Sequence, residues 1–117
     1  MRRDYNKLVR DRIPEIIQAN GKRCSIETMS ELEYRQALLE KLVEEAQEAR
    51  GAILRSAAPD ELLTELADLQ EVLAALMAAW QIAPEHVQQV QRQRRAERGG
   101  FDQQMRLLRT EDGEEDV

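Results

Sequence analysis

The chain has 117 residues, of which 42% are hydrophobic and only 3% aromatic, and its net charge is −6. This length fits one domain, the aliphatic composition favours packed helices over a β-sandwich, and the acidic balance argues against a nucleic-acid polymer as partner. The single cysteine, Cys24, and the lack of an apolar run long enough to cross a bilayer predict a cytoplasmic protein with no membrane partner.

Start and end signals divide the first half of the chain into two predicted helices. The first lies in RDRIPEIIQANG, with Asp11 as its cap, Pro14 in its first turn and Asn20-Gly21 at its end. An extended connector, with room for a short strand, follows in KRCSIETM. Next comes an S-x-x-E capping box in MSELEY, which starts a second helix that runs to about Leu54.

Two further helices are predicted in the second half. Pro59 suits the first position of the third helix, whose apolar stripe extends from Leu62 to Trp80. A fourth helix begins at Pro84 and ends near Glu97, before the loop signal RGGF. The predicted fold is therefore all-α, a small antiparallel bundle of about four helices.

The predicted domain covers residues 1–108. Residues 109–117 are acidic and poor in apolar residues, so we expect a disordered tail. A helical domain this small leaves apolar stripes exposed, and we therefore expect oligomerisation to complete the bundle. The predicted assembly is a homo-oligomer, either a dimer or a tetramer.

Five acidic residues on the second and third helices are the main chemical signal. Glu44, Glu45 and Glu48 lie within about one turn, and Glu65 and Asp68 are spaced i,i+3. The connection between these helices is short, so we expect an antiparallel hairpin in which residues equidistant from the turn lie level. Glu48 then lies level with Glu65, and Glu45 with Asp68. Four carboxylates meet if helix rotation turns both faces inward.

The residues alone leave two interpretations of these acids open. One is a solvated helix face, and the other is a site for a hard divalent cation, Mg²⁺ or Mn²⁺, which oxygen-only ligands suit. The mirror register about a turn centred between Ser56 and Ala57, and the place of Glu45 on the apolar side of its helix, favour the cation. A di-iron site is rejected because it needs two Glu-x-x-His motifs, whereas the single histidine, His86, lies outside both acid motifs.

The acid motifs and two flanking motifs resemble a known superfamily. EEAQE followed by ELAD resembles the E-E-x-x-E…E-x-x-D signature of the all-α nucleoside triphosphate pyrophosphohydrolases, which include MazG. YNKLVRDRIPEII and ERGGF are similar to a single-domain MazG-like branch labelled phosphoribosyl-ATP pyrophosphohydrolase-like, and the likeness covers residues 4–108. It implies Mg²⁺-dependent cleavage of a nucleoside triphosphate substrate between its α- and β-phosphates. The products are a monophosphate and pyrophosphate, and the implied role is house-cleaning of modified or surplus nucleotides.

The resemblance also implies roles for individual residues. Four acids are the expected metal ligands: Glu45, Glu48, Glu65 and Asp68. The candidate catalytic acids are Glu44 and Glu45, with Glu44 binding a second metal or orienting the attacking water. Four basic residues near the flanking motifs are the candidates for binding substrate phosphates: Lys7, Arg10, Arg94 and Arg98.

Two other functions stay open. A true phosphoribosyl-ATP pyrophosphohydrolase of histidine biosynthesis would share the metal site and differ in its pocket for base and sugar. A non-catalytic helical interaction module would use the acids as solvated charge and the leucines as an assembly surface.

Overall fold

Four α-helices make up the secondary structure of the computed structural model, which describes residues 1–55 and 58–111. They are α1 (Ile13–Ala19), α2 (Glu31–Arg55), α3 (Pro59–Ala79) and α4 (Pro84–Arg98). No strand occurs in the described residues, so the all-α prediction is confirmed and the connector after α1 is not a strand. The chain forms two compact units, Met1–Ala83 and Pro84–Val117.

The start of α1 differs from the prediction. The residue at the N-cap is Arg12 rather than Asp11, and no side chain caps the helix. The Ile13 N–H donates to the Arg10 carbonyl at 3.1 Å, and Pro14 has no N–H, so the first turn has fewer free donors for a carboxylate to accept. The prediction that Asp11 caps α1 is therefore wrong.

The predicted end of α1 is confirmed, and the end of α3 uses the same backbone motif. Asn20 is the C-cap of α1, and Gly21 follows it at φ 77°, where glycine carries no steric penalty. After α3, Gln81 takes the corresponding position at φ 55°. The Ile82 N–H then donates to the Met77 carbonyl at 2.8 Å, which satisfies an open carbonyl of the last turn.

The predicted capping box fixes the start of α2. The Glu33 N–H donates to the Ser30 hydroxyl, and the Ser30 N–H donates to the Glu33 carboxylate, each at 3.2 Å. The Ser30 side chain, and after it the Ser30 backbone, lowers the pKa of Glu33 below its ordinary value of 4.5. The carboxylate form of Glu33 is therefore the one that stabilises the start of this helix.

Ser30→Ala is expected to lower the free energy of unfolding by about 1 kcal/mol, the usual effect of losing an N-cap side chain. Because the pKa of Glu33 is lowered in the folded protein, its contribution is present above pH 4.5 and is lost as the pH falls through the folded value. Urea unfolding should therefore show a difference between variant and wild type that shrinks in acid. Ser30→Thr, the control, should keep most of the stability. Equal stability of Ser30→Ala and wild type at pH 7 would contradict the capping role.

The second and third helices pack as the predicted antiparallel hairpin. Near the start of α2, Arg35 Nη2 donates to the Ala79 carbonyl at the end of α3, at 2.8 Å. The Arg35 guanidinium also lies 5.1 Å from the centre of the Trp80 ring, within reach of a cation–π contact. Arg35 and Ala79 are nearly equidistant from the predicted turn centre, as the mirror register requires. That centre, between Ser56 and Ala57, lies outside the described residues.

The core of the hairpin is small. Among the described hydrophobic residues, three are buried: Leu38, Ala52 and Val72. Other large apolar side chains of α2 and α3 stay exposed, Leu39 by 49% and Leu73 by 38%. Six residues line a shallow apolar depression on this unit: Leu39, Leu73, Leu76, Met77, Trp80 and Ile82. We call this surface the apolar face, and the hairpin itself leaves it uncovered.

The second unit, Pro84–Val117, contains α4 and the glycine loop that ends it. Pro84 is the first residue of α4, as predicted, and the Gly99 N–H donates to the Arg95 carbonyl at 2.8 Å. The Arg95 guanidinium pairs with Asp102 at 3.1 Å and lies against Gly100, where a β-carbon would clash with it. Gly99 adopts φ 82°, where glycine carries no steric penalty, so this glycine has a structural reason. At Gly100 the contacting atoms are the far end of a flexible arginine side chain, which can move aside.

None of the described helices is both long enough and apolar enough to span a lipid bilayer. Of the predicted tail, residues 109–111 carry no helix or strand, and residues 112–117 lie outside the described part. The domain boundary at residue 108 stays a prediction.

Candidate metal site

Three carboxylates from α2 and α3 meet across the hairpin. Glu45 of α2, and Glu65 and Asp68 of α3, each offer one oxygen, and these oxygens all lie within 4.8 Å of one another. Each of the three residues is half-buried. Glu65 and Asp68 share one face of α3 through their i,i+3 spacing, and Glu45 lies across from them. We call these three residues the acidic cluster.

The two other predicted acids lie outside this cluster. Glu48 is exposed, about one helical turn beyond Glu45, and does not belong to the group of converging oxygens. Glu44 is half-buried, and its Oε1 lies 3.5 Å from Lys41 Nζ. The structure thus brings together three of the four acids that were expected to meet. The ligand role of Glu48 and the catalytic role of Glu44 stay predictions.

Glu45 is the member of the acidic cluster that α2 contributes, and its side chain is only 14% exposed. Burial raises the pKa of Glu45 above its ordinary value of 4.5. The Lys41 ammonium opposes this rise, and the charges of Asp68, Glu44 and Glu65 add to it. The negative charge at this point of the hairpin is therefore unfavourable, and a bound cation would relieve it.

Two basic residues of the chain already pair with these acids. Arg10 Nη2 donates to Asp68 Oδ1 at 2.7 Å, and Lys41 Nζ lies 3.9 Å from Glu45 Oε1. The Lys41 contact could be predicted from its i,i+4 spacing to Glu45. The contact between Arg10 and Asp68 could not, because 58 positions separate them and no sequence pattern links the first segment to α3.

The remaining predicted phosphate-binding residues have other surroundings. Lys7 Nζ lies 5.8 Å from the centre of the Tyr5 ring, a cation–π contact. Arg94 and Arg98 are exposed on α4, in the second unit. Phosphate binding by these three residues, and by Arg10, stays a prediction.

The donor set decides which cation fits. The acidic cluster offers carboxylate oxygens only, and such oxygens bind Mg²⁺ and Mn²⁺ well but suit zinc poorly. His86 is exposed on α4. Cys24 is half-buried beside α1, with its Sγ 4.0 Å from the Pro14 carbonyl. Neither residue belongs to the cluster, so its chemistry fits a hard divalent cation.

Comparisons with known proteins identify one partial relative. An uncharacterized protein from Mycolicibacterium smegmatis is 54% identical over 52 residues, which are 44% of this chain and 53% of that protein. The chain therefore spans about half the length of this curated relative. No family model matches the chain, and no solved structure matches it.

Proposed function

We propose that this protein is a Mg²⁺-dependent nucleotide pyrophosphohydrolase that hydrolyses nucleoside triphosphates to a monophosphate and pyrophosphate. The observation that carries the proposal is the convergence of Glu45, Glu65 and Asp68 across the hairpin. The reaction class comes from the MazG-like resemblance of the motifs around these acids. The single free cysteine, Cys24, agrees with a reducing compartment such as the cytoplasm. The house-cleaning role is proposed from the resemblance alone.

Charge explains why the acidic cluster needs a bound cation in such a reaction. A triphosphate would be repelled by three carboxylates unless a cation lies between them. The role of Glu45, Glu65 and Asp68 is to hold that cation, Mg²⁺ or Mn²⁺. When bound, the ion neutralises phosphate charge and lowers the pKa of water. In this proposal Glu44, which is half-buried next to Glu45 in the chain, orients the attacking water.

The test measures pyrophosphate release from standard and modified nucleoside triphosphates, with Mg²⁺ and with EDTA. Wild type should release pyrophosphate only with Mg²⁺, and Glu65→Gln should not, since it loses a charged ligand. Glu71→Gln is the matched control because Glu71 is an exposed acid on the same helix, outside the cluster. Equal activity of Glu65→Gln and wild type would contradict the proposed metal site.

The same panel separates the other functions. Hydrolysis of phosphoribosyl-ATP, without hydrolysis of nucleoside triphosphates, would identify the enzyme of histidine biosynthesis. No release from any nucleotide, with intact metal binding or without it, would favour the helical interaction module.

We also infer that the protein is a homo-oligomer, a dimer or a tetramer. The support is the apolar face, where Leu39, Leu73 and Trp80 leave 49%, 38% and 40% of their surface exposed. Contiguous exposed apolar surface of this kind marks an interaction site, and a second copy of the hairpin offers a matching apolar surface. Self-association would also enlarge a core that has three buried hydrophobic residues among those described.

A further inference from the structure

The acidic cluster has a positive partner that comes from a distant part of the chain. Arg10 lies in the segment before α1, yet its Nη2 is 2.7 Å from Asp68 Oδ1. This is a charge-assisted hydrogen bond at a distance typical of strong pairs. Both side chains keep contact with solvent, 57% exposed for Arg10 and 37% for Asp68, so the pair can open without disrupting packing.

Asp68 belongs both to this pair and to the acidic cluster. Asp68 contributes an oxygen to the group that lies within 4.8 Å, so a divalent cation bound there would sit close to the Arg10 guanidinium. Two positive groups this close repel each other. Binding of the metal and retention of the Arg10–Asp68 contact therefore oppose each other.

We propose that Arg10 is an internal counterion for Asp68, which metal binding displaces and thereby frees to bind a substrate phosphate. This inference rests on the proposed function, because it assumes that the acidic cluster binds a metal. Removal of the Arg10 side chain should therefore strengthen metal binding. Bound metal should in turn strengthen the binding of a phosphate anion by Arg10. The guanidinium has the planar donor geometry that phosphate oxygens accept.

The neighbouring arginine provides a matched control. Arg12 is two positions further along the chain and pairs with Glu15 at 3.4 Å, outside the acidic cluster. Arg10→Gln and Arg12→Gln remove the same charge from the same segment. A general electrostatic effect would be similar in both variants, whereas release of Asp68 occurs only in the first.

The experiment is calorimetric titration of Mn²⁺ into wild type, Arg10→Gln and Arg12→Gln, without nucleotide. Arg10→Gln should bind Mn²⁺ roughly tenfold more tightly than wild type, within the usual range of coupling between sites. Arg12→Gln should bind as wild type does. Arg10→Lys, which keeps the charge but loses the fork, should fall between Arg10→Gln and wild type. Melting curves in EDTA check that all variants are folded.

A second titration follows inorganic pyrophosphate. Arg10→Gln should weaken its binding strongly in the presence of Mg²⁺ and little in EDTA, where the wild-type guanidinium is held by Asp68. An equal weakening in both conditions would overturn displacement.

The outcomes separate this inference from the proposed function. If wild type binds Mn²⁺ and Arg10→Gln binds it no more tightly, the counterion role is overturned and the metal site stands. The same conclusion follows if Arg10→Gln and Arg12→Gln gain equally. If wild type binds no Mn²⁺, both the metal site and the counterion role are overturned.

Discussion

On the proposed function, Glu45→Gln is expected to reduce Mg²⁺-dependent pyrophosphate release by about 100-fold or more. A metal ion supplies several kcal/mol of charge stabilisation in phosphoryl chemistry, and losing about 3 kcal/mol corresponds to roughly 100-fold in rate. Glu45 is the contribution of α2 to the acidic cluster, so its replacement leaves the two acids of α3 alone. Rates at saturating Mg²⁺, with Glu40→Gln as an exposed control on the same helix, test this expectation.

The same variant should be more stable than wild type when no metal is present. Burial raises the pKa of Glu45 in the folded protein, so the folded chain holds this proton more tightly than the unfolded chain does. The stability associated with the protonated form is present below pH 4.5 and is lost as the pH rises through the folded value. Glutamine has no charge to bury, so the variant does not lose this folding stability at neutral pH.

Thermal unfolding in EDTA and in excess Mn²⁺ separates the two effects. Wild type should gain stability with Mn²⁺, by about 2.7 kcal/mol at a concentration 100 times the dissociation constant. Glu45→Gln should start from a higher melting temperature in EDTA and gain little from Mn²⁺. A variant that is less stable than wild type in EDTA, and still responds to Mn²⁺, would contradict the role of Glu45 as a ligand.

Leu38→Ala is expected to have the largest effect on folding, a loss of about 2–5 kcal/mol in the free energy of unfolding. Leu38 is 2% exposed and is the largest of the three buried hydrophobic side chains among the described residues. The hairpin has few other buried contacts, so a cavity at this position has little compensation. Chemical denaturation measures the loss, which should appear at every protein concentration.

Leu39→Ala is the matched control and tests the assembly at the same time. Leu39 follows Leu38 directly, but it is 49% exposed and lines the apolar face. Removing an exposed side chain changes the stability of a single chain by only about 0.5 kcal/mol. Sedimentation should instead show weaker self-association for Leu39→Ala. Wild type that remains monomeric at all concentrations would contradict the oligomer, and equal unfolding effects of both variants would contradict the assigned core.

Local signals predicted most of the secondary structure. The start of α2 depends on Ser30 and Glu33, which contact each other over three positions, and the starts of α3 and α4 coincide with Pro59 and Pro84. The partners in these interactions lie within one helical turn of each other, so a short sequence pattern is enough to identify both. The mirror register of the hairpin was also predictable because the distance of each residue from the turn determines it.

Features that depend on helix rotation or on distant contacts could not be predicted. The register places Glu48 level with Glu65, but rotation leaves Glu48 exposed while Glu45 turns towards α3. The pair between Arg10 and Asp68 depends on the path of a non-helical segment. The prediction that Asp11 caps α1 is wrong for a local reason. The Ile13 N–H already donates to a backbone carbonyl, and Pro14 has no N–H, so the first turn has fewer donors for a side chain to accept.

The hairpin register has a consequence for how this site can change. Arg35 is held at one end by the Ala79 carbonyl, and Glu45 reaches the cluster ten positions later along the same rigid helix. Inserting or deleting one residue between them would rotate Glu45 by about 100° relative to Arg35, since each residue of an α-helix turns by that angle. Such a change would turn the Glu45 carboxylate away from the cluster without substituting any of its three acids. The number of residues between Arg35 and Glu45 therefore determines whether Glu45 faces Glu65 and Asp68.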